Sequence, residues 1–245
     1  MCGRYSLITQ REDLARALEI AEDLIFADLA PRWNIAPTQP VPVLRRRGSE
    51  PLEMASLRWG LVPSWAKDLS TGARAINARR ETLATKPTFR ESFRTRRCAV
   101  IADGFYEWRD VGAGRPKVPH HIRLRSGEAF TFAGLWDSWR APDGRVVESC
   151  SIVTGPPNEL LSTIHDRMPM ILDPPRRDAW LDPERADERE LLPLLEPYAA
   201  NDMEMFAVSR HVNSPANDDA RCLEPPGESA GSPEAAPSWG PLFDD

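Results

Sequence analysis

Short segments rich in apolar and β-branched residues recur along most of the chain, and this pattern constrains the fold more than any other feature. Such segments predict β-strands when Gly, Pro, Asn, Asp or Ser residues separate them. Two of the connections, Arg125–Gly127 and Ala141–Arg145, are too short for a crossover helix and therefore favour antiparallel pairing. The predicted strands are Val41–Arg46, Leu52–Trp59, Cys98–Trp108, Pro119–Arg125, Ala129–Trp136, Val146–Thr154 and Met203–Val208.

Helical segments are interspersed among these strands without a regular order or an internal repeat. The first is predicted from Thr9 to Ile20, because Thr9 and Glu12 have the spacing of a capping box. The other predicted helices are Arg80–Lys86, Thr88–Arg94, Asn158–Ile164, Pro175–Leu181 and Ala186–Leu195. This mixture predicts an α+β fold, a single domain with a mostly antiparallel, barrel-like β-sheet flanked by helices.

The chain of 245 residues is long enough for one large domain with a hydrophobic core. From Pro225 onward Pro, Gly, Ser and acidic residues dominate, and such a segment buries too little apolar surface to offset its ordering entropy. We therefore predict a folded domain over residues 2–224 and a disordered acidic, Pro-rich tail over residues 225–245. Trp239, Leu242 and Phe243 suit a docking peptide for a replication or repair partner, the alternative being an inert tail.

The sequence contains neither a membrane signal nor a metal-binding pattern. No apolar run approaches the roughly 18 residues of a membrane span, and none follows a basic N-terminus as in a signal peptide. We expect a cytoplasmic, monomeric protein, associated with the nucleoid in a bacterium. The cysteines are widely spaced and histidines are few, so we expect no disulfide framework, no metal and no other cofactor. The cysteines are Cys2, Cys98, Cys150 and Cys222.

The formal net charge of −6 conceals a strong asymmetry along the chain. Residues 1–172 carry 25 basic and 20 acidic side chains, whereas residues 173–245 carry 6 basic and 17 acidic ones. Within the first part, residues 74–97 hold eight basic side chains and only two acidic ones, Glu81 and Glu91. This basic strip is a candidate surface for an anionic ligand such as nucleic acid, the alternative being a solvated helix face.

The chain begins Met-Cys-Gly-Arg, and a small residue at position 2 favours removal of the initiator methionine. Cys2 would then carry a free α-amine beside its thiol. An α-amine has a pKa of about 7.7–8.0, so near neutral pH far more of it is unprotonated than of a lysine amine. It is a competent nucleophile toward aldehydes, and the adjacent thiol can capture the resulting imine as a five-membered thiazolidine ring.

Two alternatives for Cys2 stay open at this level. Cys2 could be a small residue at a frayed chain end, with no chemical role. It could also be the nucleophile of an amidotransferase-type enzyme, in which the terminal amine acts as base for its own thiol. Arg4 and Tyr5 count against that enzyme class, because small or apolar residues usually follow the nucleophile there.

Glu107 lies among Phe105, Tyr106 and Trp108 in a predicted strand. A carboxyl group surrounded by aromatic rings should have a raised pKa, which suits general acid or base catalysis near neutrality. The alternative is a solvent-exposed Glu at the strand end. Asp103 would lie roughly 13 Å away along a strand, so the two carboxylates are not an obvious catalytic pair.

Three other motifs hold candidate ligand contacts. An extended backbone would place Asn77 and Arg79 on one face, where an amide and a guanidinium suit a phosphate or a sugar. His165 and Arg167 form a polar corner at a predicted helix end, where Arg167 could contact a phosphate; a purely structural histidine is the alternative. Trp65 is the candidate for stacking on a base. For Trp33 and Trp59 we predict positions in the hydrophobic core.

Eight motifs follow one another between residues 2 and 224: MCGR, WNIAPT, WGLVPSW, AINARRET, ADGFYEW, SIVT, IHDRMP and VNSPAND. Their order resembles that of the SOS-response-associated peptidase (SRAP) family, whose members sense abasic sites in DNA. The resemblance implies that Cys2 attacks the ring-opened aldehyde of an abasic site in single-stranded DNA and forms a thiazolidine crosslink that shields the lesion. It also implies that Asn77 orients the amine and the sugar, that Glu107 shuttles protons, and that His165 assists ring opening.

The resemblance further implies a set of DNA contacts, namely Arg4, Pro37, Trp65, Arg79, Thr154 and Arg167. Relatives often carry two adjacent aromatic residues at the wedge, whereas Ala66 follows Trp65 here. Peptidase activity would be limited to the removal of Met1. Two other functions stay open: an N-terminal-nucleophile amidohydrolase or peptidase, and a reader that binds single-stranded or modified DNA without reacting.

Overall fold

The computed structural model of the protein describes residues 2–112 and 114–227. Strands β1 to β13 are, in chain order, Tyr5–Leu7, Arg32–Ile35, Pro40–Arg45, Glu53–Trp59, Asn77–Arg79, Arg97–Ala102, Gly104–Arg109, Val118–Leu124, Phe130–Arg140, Val146–Gly155, Met168–Pro169, Ile171–Leu172 and Met203–Ala207. Helices α1 to α4 are Arg11–Ala17, Arg90–Thr95, Pro174–Leu181 and Glu188–Leu191. Short 3-10 helices lie at Glu22–Leu24, Leu69–Arg74, Arg80–Thr82, Leu161–Thr163, Leu192–Leu194, Ala200–Asp202, Arg210–Asn213 and Ala220–Leu223.

Five strands close into a barrel, in which the pairing order β10, β4, β3, β6, β9 returns to β10. The pairing of β4 with β10 is parallel, and the other four are antiparallel. Strand β5 adds to β10 in parallel, and the two-residue strands β11 and β12 extend the sheet at β10 and β9. The predicted α+β fold with a mostly antiparallel, barrel-like sheet is therefore confirmed.

The second sheet has the order β13, β8, β7, β1, β2, and all its pairings are antiparallel. It packs against the barrel through edge-to-face aromatic contacts, with ring centroids 5.5 Å apart for Tyr5 and Trp59 and 5.9 Å apart for Phe105 and Phe132. Such contacts add to the hydrophobic gain of burying the rings. The N-terminal strand β1 is an interior strand of this sheet, paired on one side with β7 and on the other with the edge strand β2.

The prediction of one strand over Cys98–Trp108 is wrong, because the segment forms two strands that belong to different sheets. The chain changes sheets at Asp103, whose carboxylate accepts hydrogen bonds from the Ser6 hydroxyl, the Thr9 hydroxyl and the backbone N–H groups of Ile8 and Thr9. At Gly104 a Cβ would lie 2.2 Å from Nε2 of His121, so only glycine fits. These bonds, which join Asp103 to residues 94 to 97 positions earlier in the chain, fix the point at which the chain leaves the barrel.

Several predicted helices are shorter than expected. Helix α1 begins at Arg11 rather than Thr9, and the predicted capping box is wrong because Thr9 donates to Asp103 instead. The segments predicted as helices at 80–86 and 158–164 contain only short 3-10 helices, and the one at 186–195 comprises α4 and a 3-10 helix. Each of these segments contributes a buried leucine to the main core, namely Leu14, Leu83, Leu161 and Leu191, and short helices of this kind depend on such tertiary packing.

Trp59 is fully buried in the main core, as predicted. Trp33 is only partly buried and packs in a small separate cluster with Tyr106 and Val212, so its predicted place in the core is only partly right. Within the described ranges, no helix combines the length and apolar character needed to cross a membrane. Residues 228–245, which make up most of the predicted tail and include its candidate docking peptide, lie outside the described residues.

Candidate active site

The antiparallel register of β1 and β7 brings the N-terminal residues to Glu107. Tyr5 lies opposite Phe105, and the N–H of Tyr106 donates to the carbonyl of Arg4 at 3.0 Å. Continuing this register places Gly3 opposite Glu107, with Cys2 one residue further on. The most N-terminal described residue is thus carried into the site by the central position of β1, and its side chain is buried.

Asn77 holds Cys2 from the barrel side. Its Nδ2 donates to the carbonyl oxygen of Cys2 at 2.8 Å, which joins β5 to the N-terminal segment across 75 residues of sequence. The Oδ1 atom of Asn77 is buried and has no hydrogen-bond partner within the described part of the chain. Because a buried acceptor without a donor is costly, Oδ1 is suited to accept from a group that enters the site, such as an amine or a sugar hydroxyl.

Glu107 is buried in strand β7, so the solvent-exposed alternative is wrong. The side chain is 4% exposed, and burial raises its pKa to about 7, against a lowering influence of the positive charge at the amino terminus. Burial, followed by the Glu107 carboxylate, raises the pKa of the Cys2 thiol. Glu107 is therefore close enough to Cys2 for their charges to interact, and near pH 7 it is present in both protonation states.

His165 is half-buried on the segment that follows the 3-10 helix Leu161–Thr163. Burial lowers its pKa, and the charge of the amino terminus lowers it further. Its Nδ1 accepts from the backbone N–H of Arg167 at 3.0 Å, so the neutral ring carries its proton on Nε2. Asp166 Oδ1 also lies 2.9 Å from Nδ1, but it could accept a hydrogen bond only from a charged ring or from the other neutral tautomer, in which Nδ1 would no longer accept from Arg167.

Thr154 and Arg167 form one unit beside β5. The guanidinium of Arg167 donates to the Thr154 carbonyl at 2.6 Å and contacts Glu81 Oε2 at 2.9 Å. Arg79 lies opposite Thr154 in the β5–β10 register, and its side chain is exposed. Thr154 is buried, and its carbonyl positions the Arg167 guanidinium. A bound phosphate would have to share Arg167 with Glu81.

The structure does not present Arg4 as a free cation. Its guanidinium donates to Asn34 Oδ1 at 2.8 Å and to the backbone carbonyls of Val212 and Asn213 at 2.7 and 3.1 Å. The guanidinium carbon also lies 5.9 Å from the ring centroid of Trp108. The predicted phosphate contact of Arg4 is untested, but these internal bonds already use most of its donors.

The two predicted wedge residues lie on loops next to the barrel. Trp65 is 62% exposed, while Ala66 behind it packs against the cluster around Trp139 and accepts a hydrogen bond from the Trp139 indole at 2.7 Å. Pro37 precedes Thr38, which adopts a positive φ of 74°, an uncommon conformation for a β-branched residue. Ala66 thus serves the packing of this loop, and Trp65 alone projects from it.

The predicted basic strip at residues 74–97 does not form one uniform surface, which corrects that interpretation. Arg97 is buried and donates to five backbone carbonyls, including that of Trp180, while Arg80 contacts Glu196 and Arg96 contacts Asp137. The side chains that stay exposed are those of Arg74, Arg79, Lys86, Arg90 and Arg94. A buried guanidinium is stable only with several acceptors, and the five carbonyls around Arg97 supply them.

Sequence reasoning missed two residues near Glu107. His120 lies directly opposite Glu107 in the β7–β8 register; it is buried, and burial lowers its pKa. The exposed ammonium of Lys117 contributes to lowering the pKa of both Glu107 and His165. Only the strand register could have indicated these residues. Residues 2–112 and 114–227 contain no group of three His, Cys, Asp or Glu side chains suited to a metal ion.

Comparisons with known proteins show what the chain as a whole is similar to. A family model described as SOS response associated peptidase (SRAP) matches residues 1–215. The chain is 42% identical to the abasic site processing protein YoqW of Bacillus subtilis over 224 residues, or 91% of this chain and 99% of that protein. It is 32% identical to the abasic site processing protein HMCES of Mus musculus over 271 residues, or 92% of this chain and 76% of that protein. A solved structure from Bacteroides thetaiotaomicron has a TM-score of 0.77 at 25% identity and covers 91% of this chain and 99% of its own.

Proposed function

The chain belongs to the SOS response associated peptidase (SRAP) family, and on this premise we propose that it processes abasic sites by linking Cys2 covalently to the lesion in single-stranded DNA. The convergence of Asn77 and Glu107 on Cys2 carries the proposal. The names of the relatives, which are abasic site processing proteins, support the choice of substrate.

The reaction needs only groups of this chain and the sugar aldehyde. On a chain that begins at Cys2, the α-amine adds to C1′ of the ring-opened deoxyribose, and one water leaves to give an imine. The thiol then adds to the imine carbon, so that a C–S bond forms and the thiol proton passes to the nitrogen. The product is a thiazolidine, and one water is released in total.

Glu107 is the proton carrier in this scheme. With a pKa of about 7 it can protonate the departing hydroxyl group and then, as the carboxylate, accept the thiol proton. The thiol reacts second because the imine that it attacks forms only after the amine has added. Burial and the Glu107 charge raise the pKa of the thiol, so a base is needed to accept its proton. Neutral His165, with its proton on Nε2, is suited to donate to the sugar ring oxygen during ring opening.

The rim supplies DNA contacts of two kinds. Arg79 is exposed and Arg167 lies beside it, so both are suited to the phosphates next to the lesion. The exposed ring of Trp65 is suited to stack on a neighbouring base. Because the lesion lacks a base, the sugar can turn toward Cys2 without breaking a base pair or a stack.

The test is a denaturing gel with a single-stranded oligonucleotide that bears one abasic site. A matched oligonucleotide with a reduced abasic site, which lacks the aldehyde, is the control. We expect a shifted band only with the aldehyde and only from chains that begin at Cys2, as checked by intact mass. No band from such chains would refute the proposal. Binding without a band would favour a non-covalent reader, and peptide or glutamine turnover would favour an amidohydrolase or peptidase.

A further inference from the structure

The segment at residues 212–218, called here the clamp loop, connects two strands of the second sheet and the N-terminal segment, although it belongs to no strand. Asn34 of β2 makes three hydrogen bonds to this loop. The Asn34 side-chain amide donates to the backbone carbonyls of Val212, Ser214 and Asn217 at 3.1, 3.0 and 2.7 Å. In return, the Asp218 carboxylate accepts from the N–H of Asn34 at 2.9 Å. The loop is thereby fixed to the edge strand of the sheet.

From this fixed position the clamp loop reaches the N-terminal segment that carries Cys2 and the strand β7 that carries Glu107. The guanidinium of Arg4, two residues after Cys2, donates to the carbonyls of Val212 and Asn213. The indole of Trp108, directly after Glu107, donates to Asn213 Oδ1 at 2.8 Å. Asn213 thus contacts β7 with its side chain and the N-terminal segment with its backbone.

We propose that the clamp loop is a positioning device that sets the distance between Cys2 and Glu107, with Arg4 and Asn213 as its positioning residues. The inference rests on the proposed function. Strand β1 has only three residues, and chain ends fray unless they are held. A displacement of about 1 Å between reacting groups can slow a reaction by about 100-fold, so a loop that fixes this end contributes directly to the rate.

The first test measures single-turnover crosslinking at saturating DNA and the DNA concentration for half-saturation. Asn213→Ala removes the acceptor of Trp108, whereas Asn213→Asp keeps an acceptor there. We expect Asn213→Ala to lower the saturated rate about 10-fold with half-saturation unchanged, and Asn213→Asp to restore most of the rate. Asn201→Ala, an exposed asparagine before β13, is the control and should match wild type. A wild-type rate from Asn213→Ala, or a change in half-saturation alone, would overturn the inference.

The second test works without DNA and therefore separates this inference from the proposed function. Iodoacetamide labelling is followed by peptide mass spectrometry, with the buried thiols of Cys98 and Cys150 as internal references. We expect Asn213→Ala to label Cys2 at least five-fold faster than wild type, and Asn213→Asp to label it near the wild-type rate. Equal labelling in all three proteins would contradict the clamp even if crosslinking occurs. If wild type forms no crosslink but the labelling differs as expected, the proposed function fails and the clamp stands.

Discussion

At the centre of the candidate site Cys2 and Glu107 are buried, whereas Trp65 and Arg79, which we propose as DNA contacts at its rim, are exposed to solvent. The difference follows from what each region is proposed to do. Proton transfer benefits from a desolvated carboxyl group with a pKa near neutrality. Contacts to phosphates and bases instead need charge and aromatic surface that DNA can reach. Changes at the centre should therefore affect the rate, and changes at the rim should affect affinity.

The largest effect is expected from Cys2→Ala, which removes the thiol. The thiazolidine cannot form, so we expect complete loss of the denaturation-resistant product, while affinity for the abasic oligonucleotide stays within about three-fold of wild type because the rim is intact. Gel shift under denaturing conditions and fluorescence anisotropy measure the two quantities. A stable crosslink from this variant would mean that another nucleophile reacts.

Glu107→Gln keeps the shape of the side chain but removes its proton. We expect the single-turnover rate to fall about 100-fold at pH 7, the lower end of typical general acid–base contributions, without a change in affinity. The wild-type rate should depend on a group with a pKa of about 7, and the variant should lose this dependence. Wild-type kinetics in the variant would show that Glu107 does not carry the proton.

The same substitution should stabilise the fold at high pH. The folded pKa of Glu107 is raised from 4.5 to about 7, so its favourable neutral form is fully present below pH 4.5 and is lost as the pH rises through 7. Glu107→Gln should therefore increase the free energy of unfolding by up to about 3 kcal/mol at pH 8 and by little at pH 4. Urea unfolding at the two pH values measures this. An equal gain at both would contradict the raised pKa.

At the rim, Trp65→Ala should weaken DNA binding about ten-fold, since stacking on a base contributes about 1–3 kcal/mol. The crosslinking rate at saturating DNA should stay close to that of wild type. Val146→Ala, which shortens another exposed apolar side chain, is the matched control. A lower saturated rate with unchanged affinity would place Trp65 with the centre rather than the rim.

The smallest effect is expected from Arg79→Ala. Loss of one phosphate contact should reduce the slope of log affinity against log salt concentration by about 0.7, with a several-fold loss of affinity at low salt. Arg189→Ala changes an equally charged, exposed side chain on the acidic helix α4 and should leave the slope unaltered. An unchanged slope for Arg79→Ala would remove this arginine from the DNA surface.

Part of this architecture was readable from local sequence patterns. The strand segments around Val41, Leu52 and Val146 lie close to their predicted bounds. The pattern of apolar residues that marks such a strand is local and does not depend on which strand becomes its neighbour. The pKa of Glu107 is raised as predicted, but the neighbouring rings are not the cause. In strand β7 the side chains of Tyr106 and Trp108 lie on the other face and pack in a separate cluster with Val212, so burial in the sheet desolvates Glu107. Asp103 likewise ends a predicted strand through bonds to residues nearly 100 positions away.

The sequence by itself indicated most of the long strands and the possibility of an aminothiol at Cys2, because these depend on residues next to one another. The short strands β1, β2 and β5 and the burial of Glu107 came only with the tertiary structure. Only the tertiary structure decided which cations face solvent and which are internal. Arg4 donates to a carbonyl 208 positions away, and Arg97 is enclosed by carbonyls of α2, α3 and the turn after α3. A local sequence pattern shows only how many charges a segment carries. Whether an arginine is buried depends on acceptors from distant parts of the chain, and an arginine without such acceptors stays available to a phosphate.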